Sequence, residues 1–283
     1  MRIARFSVVS IIAIFGIVLA ASLSQPQNGA APESGSAERT STPARPATPV
    51  IVELFTSEGC SDCPPADQLL YKLEQAQPVA GAQIIPLEQH VDYWDTQGWH
   101  DPFSSEQFTQ RQKEYVFTFK LETVYTPEMV VDGTTEFVGS DGNRALAAIA
   151  KAALVPKANL HIENLSDAKT PARSLPLRVT LAPLGDANPK HGADVLLAIT
   201  EDHLASNVTR GENAGAHMNH LAVVRELRVL GHADSAGAFS ASPNVNLGSN
   251  WKRENLHAVA FVQDHSKKYI LAASTLSLSQ ATN

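Results

Sequence analysis

The feature that most constrains the fold is a short apolar run followed by two closely spaced cysteines and the start of a helix. Residues 50–55 are rich in β-branched and aromatic side chains, which predicts a buried strand. Cys60 and Cys63 are the only cysteines in the sequence, and they follow after a polar turn. Pro64 and Pro65 suit the first turn of a helix, because no N–H is required there. This order predicts that the thiols lie at a helix N-terminus.

Such a position favours the thiolate over the thiol. The first backbone N–H groups of a helix are unpaired, and the positive end of the helix dipole lies beside them. The thiolate is the form that attacks disulfides. We therefore expect a thiol–disulfide exchange site, in which Cys60 is the nucleophile and Cys63 is the resolving thiol. It would need no cofactor besides the redox-active Cys60–Cys63 disulfide.

The residues leave other interpretations open. Thiolates also bind metals, so Cys60 and Cys63 could hold copper or zinc together with His90, as in an extracytoplasmic metal-binding protein or copper chaperone. His217 and His220, three residues apart, could also join a metal site. The cysteine pair could instead be a structural disulfide, or the protein could be a non-catalytic adaptor.

The N-terminal segment predicts export. Arg2 and Arg5 precede an almost entirely apolar run at 6–21, and small residues follow, so we expect a signal peptide at 1–24. The protein would then be periplasmic or extracellular, or anchored in a membrane if the signal is not cleaved. Residues 25–49 are rich in Ala, Ser and Pro and lack apolar periodicity, which predicts a flexible linker.

The charge of the chain limits its partners. The sequence has 22 basic and 29 acidic residues, a formal net charge of −7, and no stretch rich in Lys and Arg. Nucleic acids are therefore not expected as partners. We expect protein or peptide thiols and disulfides instead.

Periodicity and turn signals predict further elements. Up to residue 155, they are a strand at 83–91, a helix at 105–117, a proline-led strand at 124–131, a hairpin turn at Asp132-Gly133, and a last helix. Beyond residue 155 the pattern becomes β, with candidate strands at 159–164, 175–184, 194–201, 222–230, 256–263 and 269–274.

The order of elements in the first half is similar to that of thioredoxin. The resemblance implies an α/β thioredoxin-like domain at 50–155, and the strands that follow predict an all-β, sandwich-like domain at 156–283. The resemblance also implies that Pro127 is a cis-proline opposite the cysteines, with Thr126 presenting its backbone to substrate. Glu53, in the first strand, could accept a proton from Cys63 through water.

A closer resemblance covers essentially the whole chain after the linker. The segments at 53–67, 90–95, 99–104, 125–131 and 210–215 resemble the signature of a secreted, thioredoxin-like bacterial family, domain of unknown function 1223. One departure is Asp62, because the residue before the second cysteine is commonly small and neutral in this family. Its negative charge would oppose thiolate formation and make the site less strongly oxidising.

Five further residues are candidates for substrate binding. Trp94 and Trp99 belong to an aromatic loop after the second predicted strand and could line a peptide groove. Arg210, Glu212 and Asn213 lie in a glycine-flanked loop of the β region. We expect this loop to dock on the cysteine-bearing half and to shape the cleft.

Overall fold

The computed structural model describes residues 46–279 except 168 and 172. The signal peptide predicted at 1–24 and most of the predicted linker at 25–49 lie outside the described residues. Within the described part, no helix is both long enough and apolar enough to cross a membrane. The helices are α1 Pro64–Ala76, α2 Glu106–Phe119 and α3 Gly142–Ala153. The strands are β1 Thr48–Thr56, β2 Ala82–His90, β3 Glu128–Val131, β4 Thr135–Val138, β5 Leu160–Asn164, β6 Ser174–Leu181, β7 Ala193–Glu201, β8 Leu204–Asn207, β9 His217–His220, β10 Val223–His232, β11 Phe239–Ala241, β12 Asn244–Asn246, β13 Leu256–Asp264 and β14 Ile270–Ser277.

A mixed sheet of eight strands runs through the protein in the order β14-β13-β7-β10-β2-β1-β3-β4. β1 and β2 are parallel along their whole length, from Thr48 opposite Ala82 to Thr56 opposite His90. β10 joins the edge of β2 in parallel through Val223 opposite Glu88, whereas the other pairs of neighbours are antiparallel. β6 pairs with β5, β11 and β12 in a smaller sheet, and β8 pairs with β9.

This topology contradicts the predicted fold class. The sequence predicted an α/β thioredoxin-like domain followed by a separate all-β, sandwich-like domain. The structure is instead mostly β, and strands from both sides of residue 155 share the large sheet. The junction is a backbone hydrogen bond from Glu88 N to Ala222 O, at 3.0 Å, beside the Val223–Glu88 pair. Periodicity identifies strands, but it does not specify which distant strand becomes a neighbour.

The large sheet is covered on both faces. Alternate residues of a strand point to opposite faces, and those of β1 divide accordingly. Val50, Val52 and Leu54 pack with α1 and α3 in one core, while Ile51 packs with Phe108 of α2 in another. The far end of the α1 face packs against the smaller sheet, through residues of β5, β6, β7 and β13. Only the α1 face of β1 therefore meets the helix that begins at the cysteines.

Local signals in the sequence predicted most elements well. The spacing of Ser104 and Gln107 predicts a capping box at the start of α2, and the N-cap is the next residue, Ser105, which accepts a hydrogen bond from Gln107 N at 3.2 Å. Asp141 is the N-cap of α3 and accepts one from Arg144 N at 3.0 Å. The six strands predicted after residue 155 correspond to β5, β6, β7, β10, β13 and β14. The sequence missed the short strands β8, β9, β11 and β12, whose three or four residues are too few to show a period.

Candidate functional site

The two cysteines occupy the turn between β1 and α1. Cys60 N donates to Ser57 O at 3.1 Å, and Cys63 N donates to Cys60 O at 3.2 Å, so the turn is closed by its own backbone. Cys63 is the N-cap of α1, and Pro64 follows in the first turn. Both side chains are buried, with exposed fractions of 1% for Cys60 and 0% for Cys63. The structure thus places both thiols at the helix N-terminus, as the sequence predicts.

The two thiols differ in acidity. A hydrogen bond from Cys63 outweighs burial and, with a contact to Thr126, lowers the pKa of Cys60 to about 7. The charge of Asp62 acts in the opposite direction and is the weakest of these influences. Burial, followed by the effect of Cys60, raises the pKa of Cys63 well above its usual value. Near neutral pH about half of the Cys60 side chains are therefore thiolates, whereas Cys63 keeps its proton.

Thr126 and Pro127 lie next to the cysteines. The Thr126–Pro127 peptide is cis, and Cys60 Sγ lies 3.9 Å from Thr126 O. Pro127 approaches the start of α1 through Gly139. A Cβ on Gly139 would lie 3.2 Å from Pro127 Cβ and 3.1 Å from Ala66 Cβ, so glycine allows this close packing. The structure brings these residues together as predicted, whereas their role with substrate stays a prediction.

The loop at 210–215 contacts the cysteine turn directly. Glu212 Oε2 accepts a hydrogen bond from Ser61 N at 3.1 Å, and the side chain of Ser61, followed by this backbone bond, lowers the pKa of Glu212. Asn213 Nδ2 donates to Glu58 O and to Cys60 O, both at 2.9 Å. Arg210 is exposed at the edge of the loop. The loop therefore holds the backbone on both sides of Cys60.

Trp94 and Trp99 flank the same turn but are anchored by their indole N–H groups. Trp94 Nε1 donates to Thr126 Oγ1, and Trp99 Nε1 donates to Glu58 Oε2, both at 2.8 Å. A Cβ on Gly59 would lie 3.1 Å from Trp94 Cβ, so this tryptophan packs closely over the turn. Both side chains are partly exposed, and their predicted contact with substrate stays a prediction.

Glu53, predicted to exchange a proton with Cys63, lies elsewhere. Its side chain is on the α2 face of the sheet, where Arg111 and Tyr115 bind its carboxylate. Gln89 Nε2 also donates to it, at 2.8 Å. The structure thus groups Glu53 with α2 instead of with the cysteines.

Asp67 is the carboxylate beside Cys63 that the sequence did not single out. It follows Cys63 by four residues on α1, a spacing that places both on one side of the helix. Thr56 Oγ1 donates to Asp67 Oδ1 at 2.7 Å. Burial, reinforced by the charge of Glu88, raises the pKa of Asp67 to about 7. The spacing of four residues between Cys63 and Asp67 is the sequence signal that could have identified Asp67.

His90 belongs to a buried chain of charged groups behind the turn. Its Nδ1 lies 2.7 Å from Asp101 Oδ2, and its Nε2 lies 3.2 Å from Glu88 Oε1. His220 continues the chain, with Nδ1 2.7 Å from Glu88 Oε1 and Nε2 3.0 Å from Glu58 Oε1. Sequence reasoning missed three of these residues, Glu58, Glu88 and Asp101, because no local spacing connects them.

The charges in this chain stabilise one another. Burial opposes ionisation of Glu88, but His220 and His90 outweigh it and lower the pKa of Glu88 to about 2. Burial is likewise outweighed at Asp101, where His90 lowers the pKa to about 2. For His220, Glu88 and Glu58 overcome burial and raise the pKa to about 9. Burial also opposes the charge of His90, but Asp101 and Glu88 raise its pKa well above its usual value.

This arrangement bears on the predicted copper or zinc site. The group of potential metal ligands found among residues 46–167, 169–171 and 173–279 is Glu88, His90 and His220, without either cysteine. Both ring nitrogens of His90 are occupied by carboxylates. A site that joins His90 to Cys60 and Cys63 would require these bonds to break.

Comparison with solved structures gives one extensive likeness. A crystal structure of a protein from Agrobacterium tumefaciens, solved as a structural-genomics target, is 25% identical with a TM-score of 0.61. The alignment covers 85% of this chain and 98% of that one. A domain of the outer membrane lipoprotein Omp28 from Porphyromonas gingivalis is 17% identical with a TM-score of 0.26, over 44% of this chain and 91% of that one. No protein with a curated description matches the chain.

A protein-family model matches most of the chain. It matches residues 51–263, a segment that includes both cysteines, the cis-proline, the buried histidines and the loop at 210–215. The chain therefore belongs to the family described as protein of unknown function, DUF1223.

Proposed function

We propose that the protein exchanges thiols and disulfides, with Cys60 as nucleophile and Cys63 as resolving thiol. The observation that carries the proposal is the position of both thiols at the N-terminus of α1, with Cys60 Sγ beside the cis Thr126–Pro127 peptide, and the unequal acidity of the pair supports it. The pKa of Cys60 is lowered to about 7, while that of Cys63 is raised. A thiol with a pKa near ambient pH combines a useful thiolate fraction with good nucleophilicity. The proposed substrates are protein or peptide disulfides and thiols in an exported compartment.

The proposed reaction balances in two steps. The Cys60 thiolate attacks one sulfur of a substrate disulfide, the substrate S–S bond breaks, and the leaving thiolate takes a proton from solvent. Cys63 then loses its proton and attacks Cys60 Sγ, which releases the second substrate thiol. The substrate gains two electrons, and Cys60–Cys63 becomes a disulfide. The reverse sequence oxidises a substrate dithiol, and the reduction potential of the pair decides the direction.

Asp67 is the proposed proton acceptor for Cys63 in the second step. Its pKa of about 7 leaves a substantial fraction ionised at neutral pH, and its charge is one of the effects that raise the pKa of Cys63. A base must be near the proton it accepts and have a pKa close to working pH. Asp67→Asn should slow resolution of the mixed disulfide while leaving the first attack unchanged. Equal slowing of both steps would contradict this role.

Access to Cys60 requires movement of a neighbour, because only 1% of the residue is exposed. The loop at 210–215 is the proposed gate, since Asn213 holds both Glu58 O and Cys60 O. Alkylation of Cys60 by iodoacetamide should be several times faster in Asn213→Ala than in the natural protein. An unchanged rate would assign the gate to another neighbour.

The exchange itself is tested with glutathione disulfide as probe. Cys63→Ser should accumulate a mixed disulfide between Cys60 and glutathione, visible as a mass increase that a reductant removes. The natural protein should release glutathione and keep an internal disulfide. Cys60→Ser is the matched control and should form no adduct. A Cys63→Ser protein that stays unmodified, or a Cys60→Ser protein that reacts equally, would contradict the proposal.

A further inference from the structure

Three side chains from two distant strands, Glu88 and His90 of β2 and His220 of β9, converge behind the cysteine turn. One potential ligand atom of each of Glu88, His90 and His220 lies within 4.8 Å of the other two, and all three side chains are buried. His90 Nε2 and His220 Nδ1 both contact the same atom, Glu88 Oε1, at 3.2 and 2.7 Å. Ligands of a tetrahedral zinc ion at about 2.0–2.1 Å are roughly 3.3 Å apart. Two of the three separations, those from Glu88 Oε1 to His90 Nε2 and to His220 Nδ1, are thus within about 0.6 Å of this spacing, and the third is no more than 4.8 Å.

The outward nitrogens of the two rings are held by carboxylates. His90 Nδ1 lies 2.7 Å from Asp101 Oδ2, and His220 Nε2 lies 3.0 Å from Glu58 Oε1. A histidine that binds a metal usually donates its other ring N–H to a carboxylate or carbonyl, which fixes the ring and strengthens the ligand. Both histidines thus have the outer contact of a metal ligand, and an ion at the common point would replace the protons through which His90 Nε2 and His220 Nδ1 now contact Glu88 Oε1.

The outer carboxylates are themselves fixed. Trp99 Nε1 donates to Glu58 Oε2 at 2.8 Å, and Glu58 N donates to Asp101 Oδ2 at 2.8 Å. The inner carboxylate is also oriented, because Leu221 N donates to Glu88 Oε2 at 3.1 Å. These bonds leave Glu88 Oε1 directed at the two rings. The backbone and the indole therefore hold the whole arrangement in place.

We propose that Glu88, His90 and His220 form a binding site for one divalent transition-metal ion of the zinc class, with Asp101 and Glu58 as outer partners. Two imidazoles and one carboxylate form a donor set suited to such ions, and it lacks the thiolates that select Cu(I). Three protein ligands leave a fourth position open for water or a small ligand.

A cavity borders one side of the site. It has a volume of about 460 Å³ and is lined by His220, by Asn219 beside it, and by Asp67 and Tyr71 of α1. His220 therefore belongs both to the buried cluster and to the cavity wall. Neither cysteine lines this cavity, which is the proposed side of approach for the ion.

The site is separate from the proposed exchange reaction, because no cysteine belongs to it. The alternative is a chain of ion pairs in which the two rings only bind carboxylates. Binding of Co²⁺ to the full chain separates these possibilities, since cobalt reports its ligands by visible absorption. We expect one equivalent of Co²⁺, with no thiolate-to-cobalt charge-transfer band, and displacement by Zn²⁺. No binding, or a spectrum with a thiolate band, would overturn the proposal.

Variants then locate the ion. His220→Gln should weaken Zn²⁺ binding by at least tenfold, whereas His217→Gln, on the same strand but exposed, should leave it unchanged. The Cys60→Ser, Cys63→Ser double variant should bind Zn²⁺ as tightly as the natural protein. Asp101→Asn should weaken binding about 10–100-fold, the usual effect of removing an outer partner. Loss of Zn²⁺ in the cysteine double variant, with retention in His220→Gln, would refute the assignment.

Discussion

The two faces of the large sheet each hold a buried charged group near the end of β1, but the groups are neutralised differently. On the α2 face, Glu53 is paired with Arg111. On the α1 face, three carboxylates are paired with His90 and His220. We call these the arginine group (Glu53, Arg111, Tyr115 and Gln263) and the histidine group (Glu58, Glu88, His90, Asp101 and His220).

The difference shows which face can support chemistry. A guanidinium stays protonated in proteins and has no lone pair for a metal, so the arginine group is suited to holding α2 on the sheet. Imidazole can gain or lose a proton and can bind a metal through either nitrogen. The histidine group also lies behind the turn that carries the cysteines, because Glu58 is two residues before Cys60. We therefore expect the α2 face to contribute mainly stability and the α1 face to support the proposed chemistry.

The largest expected effect is on the arginine group. Arg111→Met leaves the carboxylate of Glu53 buried without its cation, so the free energy of unfolding should fall by about 3–5 kcal/mol. The exchange rate of the remaining folded protein should stay within about twofold, because the cysteines lie on the other face. Urea unfolding measures the first quantity, and the glutathione disulfide assay measures the second.

Arg178→Met is the matched control for this change. Arg178 forms an exposed ion pair with Glu163, at 2.8 Å, and exposed pairs contribute about 1 kcal/mol or less. If Arg111→Met lowers the free energy of unfolding no more than Arg178→Met does, the proposed difference between the two faces is contradicted.

The second largest effect is the pH dependence of stability due to Glu128, which follows Pro127. Glu128 Oε2 accepts a hydrogen bond from Gln112 Nε2 of α2 at 2.7 Å. Burial raises the pKa of Glu128 to about 7 from an ordinary value near 4.5. The folded state therefore binds more protons between these values, and the free energy of unfolding falls as pH rises from about 4.5 through 7. Glu128→Gln should remove this loss and be more stable than the natural protein by about 1–3 kcal/mol at pH 8.

The comparison at two pH values isolates this carboxyl group. Near pH 4.5 the variant and the natural protein should differ little in urea unfolding, because Glu128 is then protonated in the fold. A stability difference that does not change between pH 4.5 and pH 8 would exclude Glu128 as the cause.

The third prediction concerns the difference in pKa between Cys60 and Cys63. A hydrogen bond from Cys63 is the main reason for the lowered pKa of Cys60. Cys63→Ala removes the donor and should move the midpoint of Cys60 alkylation upward by about one pH unit, whereas Cys63→Ser keeps a donor and should move it less. The pH dependence of the iodoacetamide rate measures both. Identical midpoints for Ala and Ser would show that the hydrogen bond is not the cause.

The smallest effect is at Asp62, whose negative charge is expected from the sequence to oppose thiolate formation. Its charge raises the pKa of Cys60, but it is exposed and is the weakest contribution. Asp62→Asn should lower the alkylation midpoint by a few tenths of a pH unit, and less at high salt. A shift of a full unit would mean that Asp62 controls the site.

Local signals explain what the sequence predicted. The strand, the cysteine turn and the helix-starting prolines each depend on residues a few positions apart and lie where expected, whereas the N-cap of α2 is Ser105 instead of the predicted Ser104. The predicted contact between Glu53 and Cys63 was wrong for a related reason. The alternation of β1 places it with Ile51, facing α2, whereas α1 packs against Leu54. The alternation of strand residues predicts which side chains share a face of the sheet. It does not predict which helix covers that face.

Distant pairings explain the rest. The predicted fold class was wrong because Val223 pairs with Glu88 across more than 130 residues, and no periodicity records such a partner. The same pairing brings His220 to His90, so the histidine group depends on the topology that the sequence could not supply. Only the joining of the two halves in one sheet creates this group.

The most direct test of the account is the reduction potential of the cysteine pair. The full chain is equilibrated in glutathione buffers of stepped potential, and the fraction of Cys60–Cys63 disulfide is counted by mass after alkylation of free thiols. The account predicts a reversible two-electron transition with a midpoint between roughly −270 and −120 mV, the range of exchange proteins with this spacing. A pair that forms no disulfide at any buffer potential, or forms one that no buffer reduces, would contradict it.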